Sequence, residues 1–360
     1  MPIRCSGLLA ITPGEAFSRS SILITDFLKT GAYMAILVVG GAGYIGSHAV
    51  RALREAGRDI VVFDNLEQGH RQAIADAPFF QGDLRLKADM QKVFRKHAIE
   101  AVLHCAGCTL VGESMQTPER YYENNVSGTL NLLTAMHDAG IKSLVFSSSG
   151  VLYGEPERIP IDEEHPKSPV CVYGHTKICV EKMLEWFDAI YGLKSVMLRC
   201  FNAAGADPSG EIGELHAHET HLIPLAIDAA MGGRDYLPLF GTDYPTRDGS
   251  CVRDYVHVCD IADAHIKALD WLAADKPSTA FNLGRGSGVS VREIVEAVEK
   301  VSGKKIALQA EPRRSGDAAI LIAGCNAAKQ ELKWKPRFTD LTAIIETAFK
   351  WQTGAAKTWS

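Results

Sequence analysis

Continuous apolar runs alternate with stretches of helical periodicity over most of the chain. Ala35-Ile36-Leu37-Val38-Val39 is the first run and contains no polar residue, as expected for a strand buried on both faces of a parallel sheet. Residues 44–55 read as a helix, and Ile60-Val61-Val62-Phe63 is a second strand ending at Asp64. Phe79-Phe80-Gln81 and Ala101-Val102-Leu103-His104 continue the series, with a helical pattern around 90–96 between them. A long helix is predicted over 121–139, with Asn124, Asn125 and Gly128 inside it. Ser143-Leu144-Val145-Phe146 is the next strand and ends at the run Ser147-Ser148-Ser149. A second long helix at 173–191 and a strand at Ser195-Val196-Met197-Leu198 follow.

This alternation predicts an α/β fold, a Rossmann-like doubly wound parallel sheet with ligands outside the carboxyl ends of its strands. Asp83, Gly107, Ser149 and Asn202 all fall at or just after strand ends and converge on one edge. Beyond Asn202 the pattern loosens. Gly, Pro, Asp and His concentrate over 205–249, with a short strand candidate at Tyr236-Leu237-Pro238-Leu239-Phe240. A helix at 261–272, a strand at Phe281-Asn282-Leu283 and a helix at 291–301 restore order. The expected organisation is a nucleotide-binding domain over 34–202 and a smaller mixed α/β substrate domain over 203–360, with segments such as 252–272 returning to the first. Residues 1–33 mix charges with short apolar patches and lack the pattern of a targeting peptide. They are expected to be a disordered extension or an over-long start ahead of Met34.

Composition narrows the function classes. A net charge of −5 argues against nucleic-acid or membrane-surface partners, and no apolar run approaches the ~18 residues of a membrane span. Nine cysteines, odd in number and without framework spacing, suit reduced thiols in a cytoplasm.

Chemistry enters at the first turn. Gly40, Gly43 and Gly46 follow the first strand in the spacing G-x-x-G-x-x-G and open the first helix. Gly40 permits the tight turn, Gly43 lets the backbone approach a pyrophosphate, and Gly46 allows close helix–sheet packing. The helix N-terminus then stabilises the anion. Asp64 stands at about the expected ~20 residues past the glycines, where a carboxylate binds a ribose 2′-hydroxyl and repels a 2′-phosphate. NAD is therefore expected over NADP.

Tyr173-Gly-His-Thr-Lys177 places a tyrosine and a lysine one turn apart on one helix face. A free tyrosine titrates near ~10, and a nearby ammonium favours the phenolate. Tyr173 is thus the candidate acid/base, Lys177 its cation and Ser149 the candidate third catalytic group. With a nicotinamide at the glycine turn, the set reads as hydride chemistry on an alcohol carbon.

At these residues the chain resembles the extended short-chain dehydrogenase/reductases, in the branch that epimerises UDP-hexoses at C4. Matching blocks run from Asp64-Asn65-Leu66 and Gly82-Asp83-Leu84 through Val111-Gly112-Glu113-Ser114 and Tyr121-Tyr122-Glu123-Asn124-Asn125-Val126. They continue at Arg199-Cys200-Phe201-Asn202, Phe240-Gly241-Thr242-Asp243-Tyr244, Val252-Arg253-Asp254-Tyr255-Val256-His257-Val258 and Pro312-Arg313-Arg314-Ser315-Gly316-Asp317. The resemblance implies bound NAD, a UDP-hexose substrate, interconversion of UDP-glucose and UDP-galactose through a transient 4-keto sugar, and a homodimer paired through the two long helices. Leu132, Leu133 and Met183 are the apolar residues considered for that contact, with packing on the sheet as their equal alternative. It further implies cofactor contacts from Tyr44, Ile45, Asn65, Asp83, Leu84, Cys105, Ala106, Gly107, Asn125 and Phe201, beside the glycines, Asp64 and Lys177. Ser149 and Tyr173 would touch both cofactor and sugar. Asn202, Leu222, Leu239, Phe240, Arg253, Arg314 and Asp317 would hold UDP. Leu321 would stand at the pocket wall, where a small residue admits an N-acetyl group.

The chain departs from that pattern at Cys105, Thr109, Gly150 and Cys200, without loss of an acid/base group. Related 4,6-dehydratases carry an Asp-Glu pair just after the active-site Ser/Thr. Here Gly150 and Val151 stand there, and neither transfers a proton. A non-catalytic NAD-sensing protein would have no need of Tyr173 and Lys177. Cys105-x-x-Cys108 has no second half-site, and His216-Ala-His218-Glu-Thr-His221 lacks an evident fourth ligand. The first occupies the strand end where NAD is expected and the second reads as a polar loop, and no metal is expected at either.

Overall fold

The structure, a computed structural model, describes residues 34–314 and 317–359. The extension expected over residues 1–33 lies outside the described residues, as do Ser315 and Gly316 of the block ending at Asp317. The apolar runs become strands β1 (Ala35–Val39), β2 (Ile60–Asp64), β3 (Phe79–Gln81), β4 (Ile99–His104), β5 (Ser143–Ser149) and β6 (Lys194–Cys200). Beyond them β7 (Asn202–Ala204), β8 (Leu237–Phe240), β9 (Val252–Arg253) and β10 (Tyr255–His257) leave the sheet, and β11 (Thr279–Leu283) rejoins it. The seven-stranded sheet runs β11-β6-β5-β4-β1-β2-β3, every pair parallel. The chain returns to this sheet through the helix Val258–Ala273, which packs on one of its faces, and through β11. Strand β5 also runs three residues further than its apolar run predicts, carrying the serines within the ladder with β6.

Helices α1 (Tyr44–Glu55), α2 (Lys87–Lys96), α3 (Val111–Ser114), α4 (Pro118–Tyr121), α5 (Gly128–Asp138) and α6 (Val172–Tyr191) alternate with these strands. Later helices are α7 (Leu222–Ala230), α8 (Val258–Ala273), α9 (Val291–Ser302), α10 (Asn326–Gln330) and α11 (Leu341–Thr353). Successive strand residues point to opposite faces, and both faces are covered. Ile36, Val38, Val62 and Leu198 pack against Ala49 and Leu53 of α1 and Ile261, Ala264 and Ala268 of α8. Leu37, Val39, Leu144 and Phe146 meet Met90 of α2, Leu132, Leu133 and Met136 of α5, and Val180 and Leu184 of α6. Leu132 and Leu133 are thus core residues, and Met183 packs beside them. Of the two readings for these residues, packing on the sheet holds for Leu132 and Leu133, while Met183 is only half-buried. Burying a leucine contributes about 1.5–3 kcal/mol, which fixes these faces on the sheet.

The helix predicted over 121–139 is not one continuous α-helix. Between α4 and α5 the segment Tyr122–Ser127 is a π-turn, with Asn125 inside it. A smaller layer forms around Ile223 and Ala226 of α7, Ile294 and Val298 of α9, and Ile344 and Ile345 of α11. Helix α9 starts in a capping box, Ser290 with Glu293, the arrangement that satisfies two free helix-end donors. Here β8 pairs β13 (Leu308–Glu311), and β9 pairs both β12 (Val289–Ser290) and β14 (Ile320–Leu321). Among the described residues no helix is long and apolar enough to cross a membrane.

Candidate active site

The carboxyl ends of β1, β4, β5 and β6 open on one edge. Gly40 turns there at φ +78°, a left-handed conformation that glycine adopts at no steric cost. A Cβ on Gly46 would stand 2.1 Å from Gly40 O, so only glycine lets α1 approach the turn. Gly43 is the N-cap of α1 and supplies no side-chain cap. The sole atom within 4 Å of where its Cβ would stand is Gly40 O, at 3.5 Å. The start of the helix therefore keeps unscreened N–H donors with open space above them, a fit for a pyrophosphate. Tyr44 donates from its hydroxyl to Gly205 O at 2.6 Å, and Ile45 packs on the core.

Asp64 is buried at the end of β2. Its carboxylate accepts from Ala42 N at 3.0 Å and Leu66 N at 2.8 Å, which hold it in place. Burial raises its pKa and these bonds oppose the rise. Each oxygen retains acceptor capacity for a ribose hydroxyl. Asp83 is held by Arg85, Nη2 to Oδ2 at 2.6 Å, and by Asn65 Nδ2 at 3.3 Å. The Arg85 hydrogen bonds bring its pKa down to about 2. Leu84 is buried against Gly128, where a Cβ would meet it at 3.0 Å. From the π-turn, Asn125 clamps the Cys108 peptide, accepting from N at 2.8 Å and donating to O at 2.9 Å. The clamp sets the path of Cys105, Ala106 and Gly107 beyond β4, and Gly107 lies between Asn125 and Lys177.

The three serines of β5 serve three purposes. Ser147 pairs with buried His265, Oγ to Nε2 at 2.6 Å, and with Cys105 Sγ at 3.4 Å. Ser148 donates to Glu181 at 2.8 Å. Ser149, half-buried at the strand end, accepts from Val151 N at 3.3 Å and favours the Tyr173 phenolate. Tyr173 sits in the first turn of α6, and Lys177 one turn later donates to Ser147 O at 2.8 Å. Burial lowers the Lys177 pKa to about 8. Burial also pushes Tyr173 well above its ordinary value, and Ser149 only partly offsets this. The expectation that Lys177 lowers Tyr173 is thus corrected: burial of the phenolate sets the direction, and the Lys177 Nζ lies 5.7 Å from the ring centre.

The residues expected around a sugar nucleotide come from the other side of the edge. Phe201, directly after β6, packs with Leu152, Tyr153 and Ile161, and Leu321 packs on the same cluster. Leu321 pairs in register with Arg253. Arg253 reaches Asp317 at 3.3 Å and Ala318 O at 2.8 Å. Arg314 lies over the Phe240 ring, 3.9 Å from its centre. Leu239 is buried, Leu222 opens α7, and Asn202 is exposed at the start of β7.

Behind this set stands a support that the sequence alone does not announce. Arg199 on β6 and Glu181 on α6 form a buried ion pair that also receives Ser148 and Lys167. Arg199 in addition donates to Tyr153 Oη at 2.8 Å. An arginine inside the apolar run of β6 was the available signal.

Comparison with known proteins agrees with this geometry. Residues 36–284 match the profile of the NAD dependent epimerase/dehydratase family. The UDP-glucose 4-epimerase of Halalkalibacterium halodurans is 49% identical over 318 residues, 88% of this chain and 95% of that one. The crystal structure of a Brucella ovis UDP-glucose 4-epimerase in complex with NAD aligns at TM-score 0.85 and 44% identity, over 87% of this chain and 97% of that one. A Bifidobacterium longum UDP-glucose 4-epimerase in complex with NAD⁺ and UDP aligns at TM-score 0.85 and 36% identity, over 89% and 98%.

Proposed function

The chain belongs to the NAD-dependent epimerase/dehydratase family, and on that premise we propose that it inverts C4 of UDP-hexoses, interconverting UDP-glucose and UDP-galactose through a transient 4-keto sugar. One observation carries the choice between epimerisation and dehydration. Ser149, at the end of β5, favours the Tyr173 phenolate, and the next residues, Gly150 and Val151, carry no acid or base. Such a pair can take one proton from the sugar 4-hydroxyl and return it. Eliminating water needs a further acid and base.

The free donors of α1, the open space at Gly43, the fixed carboxylate of Asp64 and the buried cation of Lys177 fit NAD. NAD, when bound, supplies a hydride acceptor and donor at the sugar carbon and adds positive charge to the site. Lys177 binds the nicotinamide ribose and contributes the protein's own cation near Tyr173. Arg253, Arg314, Asp317 and Asn202 grip UDP, with arginine suited to diphosphate through its planar fork. Few polar groups are committed to the hexose, so the keto sugar is free to turn and offer its other face before the proton returns.

The protein is read as a homodimer in the cytoplasm. Trp186 and Ile190 on α6 are 65% and 64% exposed, and Leu130 on α5 is 45% exposed. These apolar residues support pairing of α5 and α6 with a second copy.

The test is incubation of purified protein with UDP-galactose and no added cofactor, followed by product analysis. The expected product is UDP-glucose. A 4-keto-6-deoxy product, or no conversion, overturns the reading.

A further inference from the structure

A second group of convergent side chains lies on the loop between β7 and α7. Glu214, His216, Glu219 and His221 each turn one ligand atom into the same space, and these atoms all lie within 4.8 Å of one another. His221 Nδ1 stands 2.9 Å from Glu214 Oε1 and 3.0 Å from Glu219 Oε1. His216 Nδ1 stands 3.1 Å from Glu219 Oε2 and 3.7 Å from Glu214 Oε1. The two ring planes are tilted by 50°, with centres 5.2 Å apart, so the rings converge through their Nδ1 atoms instead of stacking.

Hydrogen bonding accounts for this arrangement poorly. Each imidazole carries at most one proton on Nδ1, yet each Nδ1 faces carboxylate oxygens of two residues. Two donors thus serve four contacts. A tetrahedral ion with bonds of about 2.0 Å sets its ligand atoms roughly 3.3 Å apart, a spacing that four atoms already within 4.8 Å of one another reach by small side-chain shifts. Backbone bonds hold the ligands in this pose. Glu219 Oε1 accepts from Thr220 N and His221 N, both at 2.7 Å. Trp351 of α11 donates to Glu214 O at 2.8 Å, and His70 lies 3.1 Å from Leu215 O.

From this geometry we infer that Glu214, His216, Glu219 and His221 bind a divalent zinc-class ion. Two imidazoles with two carboxylates favour zinc over calcium or magnesium, which take oxygen ligands almost exclusively. Four protein ligands leave no open coordination position, so the ion is structural. It ties together the loop that receives the Tyr44 hydroxyl at Gly205 and the first turn of α7. His218, which the sequence places beside these residues, is exposed and stays outside the set.

The experiment uses tag-free, full-length protein stripped with a chelator and titrated with Zn²⁺ while heat release and thermal unfolding are followed. One Zn²⁺ per chain and a higher Tm are expected. His221→Ala and Glu219→Gln should each weaken binding by at least about tenfold, since even outer-shell losses cost that much. His218→Ala should bind as the parent does. A readout that needs no variant is Co²⁺ loading, which should give the intense visible bands of a four-coordinate ion without sulfur-to-metal charge transfer. Binding unaffected by either ligand substitution, a Tm indifferent to Zn²⁺, or a thiolate-type cobalt spectrum overturns the inference.

Discussion

Arg199 and Glu181 are joined by two parallel hydrogen bonds, Nε to Oε1 at 3.0 Å and Nη2 to Oε2 at 2.9 Å, one helical turn beyond Lys177. The side chains are 4% and 1% exposed. The pair fastens α6, which carries Tyr173 and Lys177, to β6 and through Ser148 to β5. Burial raises the Glu181 pKa, but the bonds from Arg199 and the charge of Lys167 outweigh it, and the net shift is downward. A carboxylate with a lowered folded pKa contributes stability above its unfolded value that is lost as pH falls through the folded one. Glu181→Gln should cost about 3–5 kcal/mol in denaturant melts at neutral pH, the usual consequence of leaving a buried partner unpaired. Its acid limb should also be flatter below the ordinary value of 4.5. An unchanged midpoint would show that α6 is held elsewhere.

Tyr173→Phe keeps the ring and removes the proton carrier. General acid–base catalysis is typically worth about 10²–10⁴-fold, so kcat should fall by that much with bound nucleotide retained. Near-normal turnover would transfer the role to Ser149.

Purified protein should carry NAD without supplementation. The uncapped start of α1 and the braced Asp64 provide the site, and the reaction returns the cofactor to its starting state in every cycle. Acid release and chromatography should recover nicotinamide nucleotide near stoichiometric with protein. Active yet nucleotide-free enzyme would contradict this.

Leu321 packs on the cluster that holds Phe201 and pairs in register with Arg253, one of the residues proposed to grip UDP. A branched wall here should disfavour an N-acetyl group at sugar C2 by the cost of overpacking, ~1–3 kcal/mol, or roughly 5- to 150-fold in kcat/KM. Leu321→Ala should narrow that gap. Equal kcat/KM values for both sugar classes in the parent would remove Leu321 as the gate.

The exposed apolar residues of α5 and α6 give the dimer its test. Light scattering at micromolar concentration should report twice the chain mass, and Trp186→Glu should shift the protein towards monomer. A monomeric parent would refute the assembly.

The sheet was legible because burial on both faces writes an unbroken apolar run, as at β1 and β2. The glycine turn and the Tyr173/Lys177 pair were legible because their chemistry fixes their spacing. What stayed hidden has physical causes. Strands of two or three residues, such as β9 and β14, are too short for alternation to register. The π-turn around Asn125 exists to reach the Cys108 peptide, a contact from a different segment that periodicity does not encode. The Tyr173 pKa depends on burial, which the one-turn spacing to Lys177 leaves open. Three histidines drew notice in the loop before α7, whereas folding keeps two of them and adds Glu214 and Glu219.

Gly150 bears on how this chain can change over generations. A Cβ there would lie 2.9 Å from the Phe201 ring, and that ring is itself packed between two core clusters. An aspartate at 150, the first of the two groups that dehydration requires, would have to displace the aromatic ring before it could act. The neighbouring reaction is therefore separated from this one by more than a codon. Phe201 would have to yield first, at the expense of the packing that now holds its ring.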